Sequence, residues 1–176
     1  MKYLFTILFL IGLNGLNAQD RQNPIITPFG GIYDIPEATV KVDPAIDYKI
    51  VIDVVTGNED PSEFNWALNN VARMLNLHAI SGLEAKQLDV VLAIHGGATY
   101  AITDNKTYKS KYKVNNPNLD LIDALSEAGV KITVCGQSLI SRGIELKNVN
   151  EKVEIATSML TTVTTYQLKG YAYLKF

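Results

Sequence analysis

The chain has 176 residues, with 16 basic against 18 acidic side chains, a net charge of −2 and a single cysteine. It has no basic surplus, so it lacks the electrostatic footprint of a nucleic-acid binder, and one cysteine excludes an internal disulfide. With 47% hydrophobic residues, a chain of this length supports one domain with a core of its own.

Lys2 precedes a short apolar run, Tyr3 to Leu13, and Leu16-Asn17-Ala18 supplies a small-residue cleavage site before Gln19. This is the pattern of a secretory signal peptide. The run is too short for a membrane anchor, which needs about 20 apolar residues. Residues 1–18 are therefore expected to direct export, to the periplasm or beyond, and the mature chain is not expected to span a membrane. Residues 19–47 read as an arm. Pro24, Pro28, Pro36, Pro44 and the pair Gly30-Gly31 disfavour helix and central strand. Ile25, Ile26, Phe29, Ile32 and Val40 still need cover, so the arm is expected to pack against its own domain or a neighbouring subunit.

Residues 48–176 carry the regular elements. Tyr48 to Val55 is almost continuously apolar, as a strand buried on both faces should be. Asp60, with Pro61 and Glu63 behind it, predicts a capped helix start. Phe64, Ala67, Leu68, Val71, Met74 and Leu75 then recur at helical spacing, and Gly82 ends the run. Trp66 lies off the centre of that stripe and is free to meet another element or subunit. Leu88 to Ile94 is a second buried strand, ending in His95-Gly96-Gly97. Asp104 to Asn116 is polar and reads as a surface excursion with room for some helix. Asn116-Pro117-Asn118 opens a helix with the stripe Leu119, Ile122, Leu125 and Ala128. Ile132-Thr133-Val134 forms a third strand, and Gln137 to Gly143 a short helix. Val153 to Leu168 reads as a helix despite its threonines, and Tyr171 to Phe176 as a closing strand. This alternation predicts a three-layer α/β/α domain around a mostly parallel sheet of about four to five strands.

The stretch Val130 to Ser138 places Cys135 where a strand ends and a helix begins. In open α/β sheets ligands bind at that edge, and a thiol there faces backbone N–H groups that favour the thiolate. The alternative is a small buried hydrophobe. His95 also ends a buried strand and precedes a glycine, so parallel strands bring both residues to one edge. There it is either the thiol's proton partner or a hydrogen-bonded structural residue. Asp53, inside the first strand, is either a buried, hydrogen-bonded acid or near the strand's functional end, and the first reading is favoured. The chain has neither a dinucleotide fingerprint nor a nucleophile elbow, and no metal site is expected from one cysteine and two histidines.

Four segments carry a family resemblance: A-I-H-G-G-A at Ala93 to Ala98, N-P-N-L-D-L-I at Asn116 to Ile122, G-V-K-I-T-V-C-G-Q-S at Gly129 to Ser138, and S-M-L with Y-Q-L-K-G-Y-A-Y-L between Ser158 and Leu174. Together they resemble the DsrE/DsrF-like family over Tyr48 to Phe176. The resemblance implies an α/β/α fold, assembly into homo-trimers or hexamers, and a persulfide carried on a cysteine that maps onto Cys135. The family's His-Gly maps onto His95-Gly96. Gly136 and Gln137 would offer N–H groups to the negative charge, and Gln137 and Ser138 would orient the terminal sulfur, with no metal or organic cofactor. The expected partners are a sulfur donor or acceptor protein. The alternative is a non-catalytic oligomeric binding module of the cell envelope.

Overall fold

The computed structural model describes residues 19–176; the expected signal peptide lies outside them. Five strands form one sheet: β1 (Tyr48–Val54), β2 (Leu88–Ile94), β3 (Lys131–Cys135), β4 (Glu154–Ala156) and β5 (Ala172–Lys175). Their order is β4-β3-β2-β1-β5, and every pair is parallel. Parallel neighbours need crossovers, and five helices accompany them: α1 (Trp66–Ile80), α2 (Asn105–Tyr112), α3 (Leu119–Glu127), α4 (Gly136–Ser141) and α5 (Met159–Leu168). This is the expected α/β architecture.

Side chains alternate across the sheet, and the two faces differ. Ile50, Ile52, Val54, Leu92, Ile94, Ile132 and Val134 point into the main core, which α1 and α3 close with Leu68, Val71, Leu121 and Leu125. On the other face Val51, Val91 and Ala93 meet Val163 of α5. Asp53 alternates onto this second face with Val51, and Cys135 stands opposite Val134, on the same side.

Three expectations need correction. The first helix starts at Trp66, not behind Asp60. Asn65 caps it, its side chain accepting from the Leu68 N–H at 3.0 Å, while Asp60 folds a local turn by accepting from the Ser62 N–H at 2.8 Å and hydroxyl at 2.7 Å. The stretch from Val153 is not one helix. Glu154–Ala156 pairs with β3, and Ser158 then caps α5 by accepting from the Leu160 N–H. The polar stretch after Asp104 carries α2, but Tyr108 within it is not a surface residue. It is 1% exposed and donates its hydroxyl to the Pro61 carbonyl at 2.9 Å.

Within the arm, Gln22 and Ile32 pair across a loop that buries Ile26 and Ile32. Buried Asn76 of α1 holds that loop. Its Oδ1 accepts from the N–H groups of Ile25 and Ile26, both at 2.9 Å, and its Nδ2 donates to the carbonyls of Phe29 and Gly30. Ile35 and Val40 remain exposed. Trp66 is also exposed and meets Phe176 edge to face.

Candidate active site at the carboxyl edge of the sheet

The turns after β1, β2, β3 and β4 meet at one edge. Their backbones approach so closely that side chains would not fit at three glycines, and a Cβ on Gly97 would lie 2.7 Å from the Gly57 backbone nitrogen. A Cβ on Gly136 would lie 2.9 Å from the Ala156 carbonyl oxygen, and one on Gly96, where φ is +56°, would lie 2.7 Å from a methyl of Val55. Gly96 thus presses the β2 turn onto the β1 turn, and Gly136 presses the β3 turn onto the β4 turn.

Cys135 is the last residue of β3 and the N-cap of α4. It is a free thiol, buried just beneath this edge at 4% exposure. Its Sγ donates to the Ser158 hydroxyl at 3.9 Å, so the caps of α4 and α5 stand side by side. Burial is the largest single influence on the thiol and pushes it up. Against that, the Met159 N–H, the Ser138 hydroxyl and N–H, and the Ser158 hydroxyl hydrogen-bond the sulfur, and together they hold it below the ordinary thiol range. The donors belong to the first turns of two helices, whose dipoles add to the effect. Ser138 has a second task. Its hydroxyl accepts from the Gly96 N–H at 3.4 Å, tying the β2 turn to the cysteine turn.

His95 enters from the adjacent strand. Ile94 pairs with Val134, which carries His95 and Cys135 to the next rung, one inter-strand spacing of about 5 Å apart. The imidazole, however, leans the other way, with Nε2 2.6 Å from Oδ1 of Asp53. The thiol's hydrogen-bond partner is the Ser158 hydroxyl rather than this ring. Asp53 is 3% exposed, and its other oxygen accepts from the Tyr173 hydroxyl at 2.9 Å, with Lys175 Nζ at 3.9 Å.

The structure thus brings Cys135, Gly136 and Ser138 together and links Gly96 to them. It sets His95 beside them in contact with Asp53, and leaves Gln137 exposed. Sequence reasoning missed Ser158, Met159 and Tyr173, and it read Asp53 as a buried, hydrogen-bonded acid without finding His95 as its partner. The available signal was an acid inside an apolar strand, which asks for a buried partner. Among the described residues, no group of three or more His, Cys, Asp or Glu side chains could hold a metal ion, and no helix is long and apolar enough to cross a membrane. A separate cavity of about 540 Å³ opens past β1, lined by Thr56, Asn58, Glu63, Phe64 and Trp66, and neither Cys135 nor His95 borders it.

Several solved structures share the fold. The protein of unknown function MTH1491 from Methanobacterium thermoautotrophicum superposes with a TM-score of 0.53 at 15% identity, over 74% of this chain and all of that one (100%). The ychN protein from E. coli superposes with a TM-score of 0.54 at 22% identity, over 73% of this chain and 99% of that one. No curated protein matches the chain by sequence. The sequence model of the DsrE/DsrF-like family matches residues 49–176, and with this match and this fold the chain belongs to the DsrE/DsrF-like family.

Proposed function

We propose that the protein carries sulfur as a persulfide on Cys135. The observation that supports this reading best is the set of hydrogen-bond donors around the thiol. Met159, Ser138 and Ser158 favour a negative sulfur in a place where burial alone would oppose one. The same donors suit a persulfide anion. In the loading step the Cys135 thiolate attacks the outer sulfur of a donor R–S–SH. A bond forms between Sγ and that sulfur, the donor's S–S bond breaks, and the hydrogen stays on the transferred sulfur. The donor leaves as the thiolate R–S⁻ and takes up a proton. No oxidant is consumed. With one cysteine in the chain, the sulfur must pass onward to another protein or small thiol. Residues 1–18 make this an exported carrier in the same reading. Assembly into a trimer or hexamer belongs to it too, supported by the apolar side chains exposed on α4, β4 and α5: Ile140, Ile155, Leu160 and Leu168.

Incubation with a small-molecule persulfide should add the mass of one sulfur atom to the intact protein, reversibly on reduction. Cys135→Ser should abolish the gain while the fold survives. Sulfur retained by the serine variant would end this mechanism.

One observation favours a second reading, a non-catalytic oligomeric binding module. Cys135 is buried, and its thiol hydrogen-bonds Ser158 while the imidazole hydrogen-bonds Asp53. In that case the native thiol would be alkylated only on unfolding.

A further inference from the structure

Asp53 is a carboxylate built into the middle of a parallel sheet, where burying a charge is costly unless several partners hold it. Three converge on it from two neighbouring strands. His95 follows β2 and takes Oδ1 at 2.6 Å. Tyr173 of β5 takes Oδ2 at 2.9 Å, and Lys175 of the same strand stands 3.9 Å from that oxygen. Burial and the Asp53 carboxylate push the Tyr173 phenol above its usual range, so it remains a donor. An ionised carboxylate only accepts hydrogen bonds, so the ring nitrogen that meets it, Nε2, carries the hydrogen. That leaves Nδ1 as the unprotonated nitrogen of a neutral ring. The side chain of His95 is 21% exposed and that of Asp53 is 4% exposed. The dyad therefore has a buried end and an end open at the edge where Cys135 sits.

We propose that Asp53 is a positioning residue of this site, holding His95 in the Nε2–H tautomer with Nδ1 turned to proton exchange at the sheet edge. The inference rests on the persulfide reading and assigns His95 its task within it. Nδ1 takes up a proton from water, which makes the ring an imidazolium, and gives it to the donor thiolate R–S⁻ released in the loading step, which restores the neutral Nε2–H ring. Asp53 acts only through His95 and does not touch sulfur. Ser138, Ser158 and Met159 keep the task of stabilising the Cys135 thiolate, so the two machineries are separable. The titratable groups around the ring are Asp53 from β1, Tyr173 and Lys175 from β5, and Cys135 from β3.

The test uses the full chain, with Asp53→Asn and Tyr173→Phe as variants, and three readouts. Alkylation of Cys135 by iodoacetamide needs no proton donor, and it should keep the wild-type rate in both variants. Sulfur loading from glutathione persulfide should slow about 10- to 100-fold in Asp53→Asn, with a flattened pH profile, and less in Tyr173→Phe. Nitrogen-15 NMR of His95 should show the Nε2–H tautomer in the wild type and a mixture in Asp53→Asn. Unchanged loading in Asp53→Asn, or alkylation falling in step with loading, overturns the proposal. So does an Nδ1–H ring in the wild type, a result that needs no variant to fold. If the wild type takes up no sulfur at all, the persulfide reading fails on its own. The tautomer spectra then still decide whether Asp53 positions His95.

Discussion

At the scale of single residues, Cys135 sets two opposing effects against each other. Burial raises the cost of a charged sulfur, and hydrogen bonds from Met159, Ser138 and Ser158 lower it by more. A hydrogen bond to a charged group contributes about 1.5–3 kcal/mol, so no single donor is negligible. The alkylation rate of native Cys135 should therefore rise with pH through a midpoint below the free-thiol value of about 8.5. Ser138→Ala should move that midpoint upward and cost about ten-fold in rate at neutral pH. The linkage to folding has a definite sign. A folded-state value below the unfolded one gives stability that is present above the unfolded thiol value and is lost as pH falls through the folded one. The melting-temperature advantage of the wild type over Cys135→Ser should thus grow from neutral pH toward about pH 9. A flat difference across that window would mean that folding leaves the thiol unshifted, and a shrinking one that the thiol stays neutral in the native protein.

At the scale of elements, α1 and the arm form one unit through Asn76. Its side chain satisfies two backbone N–H and two carbonyl groups of residues 25–30 and is itself fully buried. Asn76→Ala leaves the Ile25 and Ile26 N–H groups and the Gly30 carbonyl without those partners, while the Phe29 carbonyl keeps the Asn23 amide. The expected loss is about 2–4 kcal/mol, read as a lower denaturant midpoint. New protease cleavage within residues 19–47 should accompany it, because the loop loses its anchor to α1. An unchanged midpoint would show that water replaces the lost bonds. Elements of this kind are only partly legible in a sequence. β1, β2 and β3 are legible because strands buried on both faces are continuous apolar runs, and Gly136 after Cys135 marks the turn to α4. β4 is not, since three half-exposed residues beside a threonine-rich helix carry no period of their own. Asp60 and Asn65 are both competent caps, and only the tertiary packing of Ala67 and Leu68 chooses the second. The site is legible to the same degree. Cys135, Gly136, Ser138 and His95 follow directly from strand ends. Ser158 and Tyr173 arrive from strands and helices far along the chain, through a sheet order that no local pattern specifies.

At the scale of the whole molecule, the sheet is closed unequally. One face is sealed by α1, α3 and the arm, with Ile26 delivered into the main core. The other carries α5 against a small cluster around Val51, Val91 and Ala93. Beside α5 lies β4, a three-residue edge strand with one unpaired side. On this side Leu160 is 68% exposed and Leu168 is 90% exposed. Large apolar side chains at the rim of a thin layer are what a second copy of the chain would cover, and Ser158 at the start of α5 would bring that copy close to Cys135. The wild type should therefore show a trimeric or hexameric mass at micromolar concentration. Leu160→Glu should shift it toward the monomer with an unchanged far-ultraviolet circular dichroism spectrum. Leu77→Glu supplies the control, because Leu77 lies on α1, on the sealed side of the sheet. It should leave the mass where it was. A monomeric wild type would remove the assembly altogether. Dissociation by Leu77→Glu instead of Leu160→Glu would move the interface to the arm, and the thiol would then face solvent rather than a neighbouring subunit.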